Sequence, residues 1–177
     1  MSKAQAPDLG ASVQNLLDRE QLRDLVVRYA LAVDDHDLDL LRTMFHPDAV
    51  FDRDGHLAHG WAEIGETLGA SMAGFRRMLH TPHAAVVQLT GPDAASGASS
   101  GHAELVTRRG VLVAAYRYAD EFARLDGRWV FTRRAVRFLY ATSALEYAAT
   151  LPEPDRVRFP GEEPRESQVR PNDAHGY

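Results

Sequence analysis

The 177-residue chain has no cysteine, which removes disulfides, a thiolate nucleophile and cysteine-ligated zinc from consideration. It has no long apolar run either. No stretch approaches the roughly 20 residues that a bilayer span needs, and the opening MSKAQAPDLGAS lacks the apolar segment of a secretory signal. An excess of positive charge is also missing. Twenty Lys and Arg stand against 25 Asp and Glu, a formal charge of −5, and the cations are dispersed, which disfavours nucleic acid and anionic membranes as partners. The expected location is cytoplasmic. No GxGxxG follows a strand, and there is no P-loop, GxSxG elbow or HExxH helix, so nucleotide-dependent, serine-hydrolase and zincin chemistries lack support. Most of the eight histidines fall in segments read as loops, and no metal site is assigned.

What is present reads as one globular domain. The composition is 45% hydrophobic and 25% charged, which is ordinary for a packed core. Residues 1–12 read as a loose lead-in. Leu22, Leu25, Val26, Tyr29, Ala30 and Val33 then form one apolar helical stripe. Asp18 with Gln21 resembles a capping box, placing the helix start near Arg19. A short helix is expected over Asp39–Phe45, then a short strand Ala49–Asp52 with a return through His56–His59. Trp61, Ile64, Leu68, Met72, Phe75 and Leu79 predict a third helix.

From His80 onward the pattern becomes extended. The runs His80–Leu89, Ser99–Thr107, Val111–Arg124 and Arg128–Thr142 are separated by Gly-containing turns, the signature of successive antiparallel hairpins. Helices first and strands afterwards predict an α+β fold: a cone-shaped, curved antiparallel sheet with N-terminal helices packed on its concave face. The cone domain is expected over residues 1–150. Residues 151–177 read as an extended tail rich in proline and charge, flexible or laid over a neighbouring surface.

Three polar residues stand where the pattern expects apolar ones. Asp34 lies on the buried stripe of the first helix, or else belongs to the turn-like run Asp34-Asp35-His36-Asp37. His80 turns inward if Ala84 and Val86 do, as a satisfied core histidine or as a catalytic one. His83 then faces the other way, which makes His80-Thr-Pro-His83 a poor metal pair. Arg134 shares a face with Val130, Val136 and Phe138. It needs an anion, which could be Asp34, another carboxylate of the sheet or a substrate group. His102, Tyr116 and Tyr118 are further candidates for lining a cavity, as is Phe138. Trp129 and Phe131 read as outward apolar positions in need of cover, so the expected assembly is a homo-oligomer, a trimer preferred over a dimer, with the tail after Ala148 contacting a neighbour or the cavity mouth.

The strings DREQLRDLVVRYALAVDDHDLDLLRTMFHPDAVF, HGWAEI, LHTPHAAVVQL and YRYADEFARLDGRWVFTRRAVRF together resemble the SnoaL-like branch of the nuclear-transport-factor-2-like superfamily, from about Asp18 to Tyr140. Within that branch the pattern is similar to bile-acid 7α-dehydratase, hexachlorocyclohexane dehydrochlorinase and scytalone dehydratase. The resemblance implies a lyase without a cofactor, acting on a small apolar molecule, polycyclic or aromatic in kind, through an Asp-His dyad. It carries the dyad onto Asp34 and His80, a tyrosine onto Tyr29 and a final-strand arginine onto Arg134. Isomerases, polyketide cyclases and the non-catalytic β subunits of ring-hydroxylating oxygenases share the branch and stand as alternatives.

Overall fold

The computed structural model describes residues 8–169. The expected lead-in therefore falls partly outside the described residues, as does the end of the tail.

Helix α1 runs from Leu9 to Asp34, ten residues earlier than the capping-box reading placed it. Its N-cap is Asp8, whose side chain accepts from the backbone N–H groups of Gly10 and Ala11. Asp18 is instead a buried mid-helix residue that binds the Arg124 side chain and accepts from Gln14 Nε2 at 3.0 Å and Trp129 Nε1 at 3.4 Å. Burial works against its charge, but these hydrogen bonds outweigh it and hold the carboxyl below the ordinary range. The apolar stripe is buried as the spacing predicts, with Leu22, Leu25, Val26, Tyr29, Ala30 and Val33 all in the core. The helix closes with His36 at φ 57° and the Asp37 N–H returning to the Ala32 carbonyl, a left-handed cap that leaves Asp34 in the last turn.

Helix α2 spans Leu38–Arg42, capped by the Asp37 side chain. Strands β1 (Phe45–Arg53) and β2 (His56–His59) form a hairpin turned by Asp54 and Gly55, both at positive φ. Helix α3 (Gly60–Ala73) buries Ile64, Leu68 and Met72. It stops six residues before Leu79, where the sequence pattern ran on: Phe75 follows the helix, and Leu79 lies in strand β3 (Arg77–Leu89) with its side chain exposed. Apolar spacing alone does not mark the helix-to-strand change.

Strands β4 (Ala94–Val106), β5 (Val111–Leu125) and β6 (Arg128–Ser143) continue as antiparallel hairpins. The β5–β6 turn, Asp126-Gly127, has positive φ at both residues, the two-residue hairpin geometry that Asp-Gly favours. The sheet order is β2-β1-β6-β5-β4-β3. It is a mixed sheet, not an antiparallel one, because β1 pairs parallel with β6; the long excursion through α3 and four strands brings β6 back beside β1 in that sense. The result is α+β, with α1 packed on a curved, unclosed six-stranded sheet.

One correction comes from a β-bulge. Ladder irregularities between Glu121 and Phe122 on β5, and opposite them on β6, interrupt the alternation near Thr132. Trp129 and Phe131 therefore point into the core, at 6% and 0% exposure, where an unbroken count turned them outward. The tail also differs from a free extension. Val157 bridges Ala141 and Arg165, Val157 and Phe159 are buried, and Arg165 pairs with Asp54 at 2.7 Å. This segment packs against β6 of its own domain. No helix is long and apolar enough to cross a membrane among the described residues.

Candidate active site

The end of α1 and the start of β3 meet at one polar contact inside an apolar interior. Asp34 Oδ1 lies 2.6 Å from His80 Nδ1. The same carboxylate accepts the His80 backbone N–H, at 2.8 Å through Oδ2 and 3.1 Å through Oδ1. Both side chains are mostly buried, at 12% and 15% exposure. A carboxylate on Nδ1 fixes the tautomer with the proton there and leaves Nε2 as the basic nitrogen.

His80 faces inward as expected, but not by the expected route. Val86 is 62% exposed, because the β3–β4 pairing shifts register between Pro82 and Ala85. Alternation from Val86 back to His80 crosses that bulge, and the inward set is Met78, His80, Pro82, Ala85 and Val87.

Around His80 lies a narrow cavity of about 90 Å³. Its wall includes Tyr29, Val33, Met78, Tyr116, Tyr118 and Phe138. The Tyr116 ring is 5.8 Å from the His80 ring, centre to centre. Its hydroxyl lies over Gly101, where an added Cβ would come within 2.7 Å of Cζ; glycine there makes room for the tyrosine. Burial pushes the Tyr116, Tyr118 and Tyr29 hydroxyls above their ordinary range, so they remain protonated hydrogen-bond donors.

Arg134 stands behind these tyrosines. It is 1% exposed, and its Nη1 is 3.0 Å from Asp120 Oδ2, its cross-strand partner. Of the anions open to it from sequence, the structure selects a carboxylate of the sheet that was not singled out; Asp34 is engaged with His80. The guanidinium lies 3.6 Å from the Tyr118 ring centre, 4.1 Å from Tyr29 and 4.4 Å from Phe131, an aromatic box that favours a cation. Among the described residues Asp120 Oδ1 and Arg134 Nε have no hydrogen-bond partner. Burial raises the Asp120 carboxyl to about 6, against the pull of Arg134. Arg134 borders a small recess beside His80, with Ser99 and Pro82, rather than the main cavity. Val130 lies across the bulge from it and does not share its setting.

His102 is brought elsewhere. It sits exposed on the outer face, where its Nδ1 is 3.0 Å from His83 Nε2 and its ring packs on Tyr140. The pleat that turns Ala103 and Leu105 inward turns His102 out, so it lines no part of the cavity. Arg133 and Arg137 face away from Arg134 as alternation predicts, and both clasp the buried Asp52 at 2.8 Å. Those hydrogen bonds, with Arg137 foremost, hold Asp52 below the usual carboxylate range. Among the described residues no group of three or more His, Cys, Asp or Glu is placed to hold a metal.

Sequence reasoning missed Arg53, Phe75 and Phe159, which complete the cavity at its open end. Phe159 packs edge-on against Phe138 at 4.7 Å, and the Arg53 guanidinium lies 5.1 Å from its ring. A lone phenylalanine in a proline-rich tail carries no periodicity that could have revealed it.

Residues 14–135 match the SnoaL-like domain family, a span that includes most of α1, the β3 histidine and most of the sheet. The chain belongs to that family. No curated protein matches it. Among solved structures, this SnoaL-like chain is similar to a protein provisionally described as a scytalone dehydratase from Novosphingobium aromaticivorans, with a TM-score of 0.70, 21% identity and coverage of 75% of this chain and 91% of the other. It is similar to hexachlorocyclohexane dehydrochlorinase LinA-type3 from Novosphingobium barchaimii, with a TM-score of 0.68, 20% identity and coverage of 75% and 93%. A third similar structure, at 29% identity, TM-score 0.67 and coverage of 81% and 99%, is provisionally described as an aromatic ring hydroxylase from Novosphingobium aromaticivorans.

Proposed function

We propose that this SnoaL-like protein is a lyase that eliminates water or another leaving group from a small, mostly apolar molecule without a cofactor. The observation that carries the reading is the Asp34–His80 contact at 2.6 Å on the wall of an apolar cavity. His80 Nε2 takes a proton from carbon, and the released electron pair becomes a double bond as the group on the adjacent carbon departs. Asp34 keeps the proton on Nδ1 and stabilises the imidazolium that forms. Tyr116 and Tyr29, both on the cavity wall and both held protonated by burial, are the donors available to the leaving group or to a carbonyl oxygen. Arg134 orders Tyr118 and Tyr29 from behind. The narrow interior suits a molecule of one or two rings.

The fold likeness to dehydratase and dehydrochlorinase structures supports this class, while isomerisation or cyclisation would use the same first step. A metabolite pool incubated with the protein in heavy water separates them. Loss of water or of an acid HX from one compound supports elimination. Deuterium gain at constant composition supports isomerisation. Neither change, or changes that persist in His80→Ala, would overturn a catalytic role for His80 and favour a ligand-binding protein.

A further inference from the structure

The open end of the cavity carries charge that the chemistry at His80 leaves unused. A wider outer groove shares Arg53, Ser71, Phe75 and Phe159 with the cavity, so the two are continuous. Four arginines line that groove, Arg53, Arg76, Arg108 and Arg109, against one carboxylate, Glu162. Glu162 lies 3.6 Å from Arg53 and 3.5 Å from Arg165, so it is already shared. Arg76, Arg108 and Arg109 form no ion pair among the described residues. In a chain of net charge −5, this mouth is a local reversal of sign.

The arrangement also has built supports. Arg108 and Arg109 ride on the β4–β5 turn, whose backbone is tied by Thr107: its Oγ1 donates to the Gly110 carbonyl and accepts the Arg109 N–H. The Arg53 guanidinium lies 5.7 Å and 5.1 Å from the ring centres of Phe138 and Phe159, two residues of the cavity wall. A cation thus sits where the apolar wall meets the polar mouth.

From this we infer that the ligand is an amphiphilic anion. Its apolar part enters the cavity and its carboxylate or phosphate group stays at the arginine mouth. Guanidinium forks pair with either oxyanion in a bidentate manner, and a half-exposed mouth binds charge without the cost of full burial. The field of several arginines also draws anions toward the opening. The inference rests on the cavity being the reaction site, and it specifies the substrate class for that site.

The test uses the full chain and three fluorescent probes of matched apolar bulk: 1-naphthylacetate, 1-naphthyl phosphate and the neutral 1-naphthylacetamide. At low salt, one or both anions are expected to bind at least about tenfold more tightly than the amide. That advantage should shrink strongly on going from about 0.01 M to about 1 M salt, and should fall similarly in Arg108→Gln/Arg109→Gln, whose side chains are exposed and whose turn is held by backbone bonds. The anion that keeps the larger advantage identifies the headgroup. Equal binding of anions and amide, an advantage indifferent to salt and to the double variant, or no binding of any probe would each overturn the inference. Because the readout is binding, it is independent of turnover: if the wild type shows no proton abstraction in any assay, or His80→Ala stays fully active, the lyase reading falls while a salt-sensitive preference for anions still stands.

Discussion

Asp34 holds His80 twice, once through the ring nitrogen and once through the backbone N–H. The two contacts separate in mutants. His80→Ala keeps the backbone bond, so it is expected to fold normally and to lose roughly 10²–10⁴ in rate, the usual worth of a positioned general base. Asp34→Asn weakens both contacts. It should cost comparable activity and also about 1–2 kcal/mol of stability through the joint between α1 and β3. Rate and denaturant midpoint measured on the same preparations check this; a fully active His80→Ala would sink the dyad.

The Arg134–Asp120 pair is almost wholly enclosed, at 1% and 2% side-chain exposure. Removing one partner leaves the other charged and buried, so Arg134→Met is expected to lose roughly 3–5 kcal/mol. The double change Arg134→Met/Asp120→Leu should recover much of that loss. A double-mutant cycle in urea measures the coupling, and simple additivity would show that the pair contributes nothing specific.

Acid should act on two carboxylates with opposite sign. Asp120 titrates near 6 in the folded protein but near its ordinary value of about 4 when unfolded. The folded state therefore takes up a proton first, and this group adds stability as pH falls from 6 toward 4. Asp52 is depressed by Arg137 and Arg133; its contribution is present above about 4 and is lost as pH falls through its lowered folded value. Comparing stability against pH for the wild type, Asp120→Asn and Asp52→Asn should flatten the first slope in one variant and the second in the other.

Gly101 faces the Tyr116 ring so closely that a methyl group would collide with it and with the Thr81 carbonyl. Gly101→Ala is expected to lose about 1–3 kcal/mol and to displace Tyr116 from its place beside His80. Near-ultraviolet circular dichroism would register the displaced tyrosine. An unchanged spectrum together with unchanged stability would remove Gly101 from the account of the site.

With Trp129 and Phe131 buried, the apolar surface left in need of cover lies on α1. Its N-terminal half exposes Leu9 at 76%, Val13 at 48%, Leu16 at 68% and Leu17 at 52%, an apolar strip longer than a monomer ordinarily leaves in water. We expect a homo-oligomer covering this strip, and Leu16→Glu/Leu17→Glu should weaken it. Light scattering that gives a monomer for the wild type at micromolar concentration would refute the expectation.

The helix faces and hairpin order were legible because period 3.6 and period 2 differ clearly in runs such as Leu22–Val33 and Val111–Arg124, and because Asp126-Gly127 has few alternatives to a tight turn. Two kinds of feature were hidden. Bulges add a residue without a compositional mark, so counting across Pro82–Ala85 or Thr132 assigned Val86, Trp129 and Phe131 to the wrong faces. Pairing between distant strands was the other: nothing local to Asp120 announces Arg134, and nothing near Asp52 announces Arg133 and Arg137. Asp34 and His80 each stood out as a polar residue at the edge of an otherwise apolar pattern, but their pairing came from the resemblance to the SnoaL-like branch, and the structure brings the two side chains into contact. His102 satisfied a similar description and landed outside, since its face depended on a strand whose small residues, Ser99 to Gly101, give no inward-outward contrast.

Phe159 gives the tail a consequence for how this protein could diverge. A binding chamber walled only by sheet and helix can change its tenant only by altering residues that also hold the fold together. Here one panel of the chamber comes from the stretch after the last strand, attached through Val157 and the Arg165–Asp54 pair. Exchanging that stretch between relatives would re-tailor the opening while leaving the Asp34–His80 contact and the sheet untouched, so, under the proposed function, new ligand preferences can arise in the tail without disturbing the dyad.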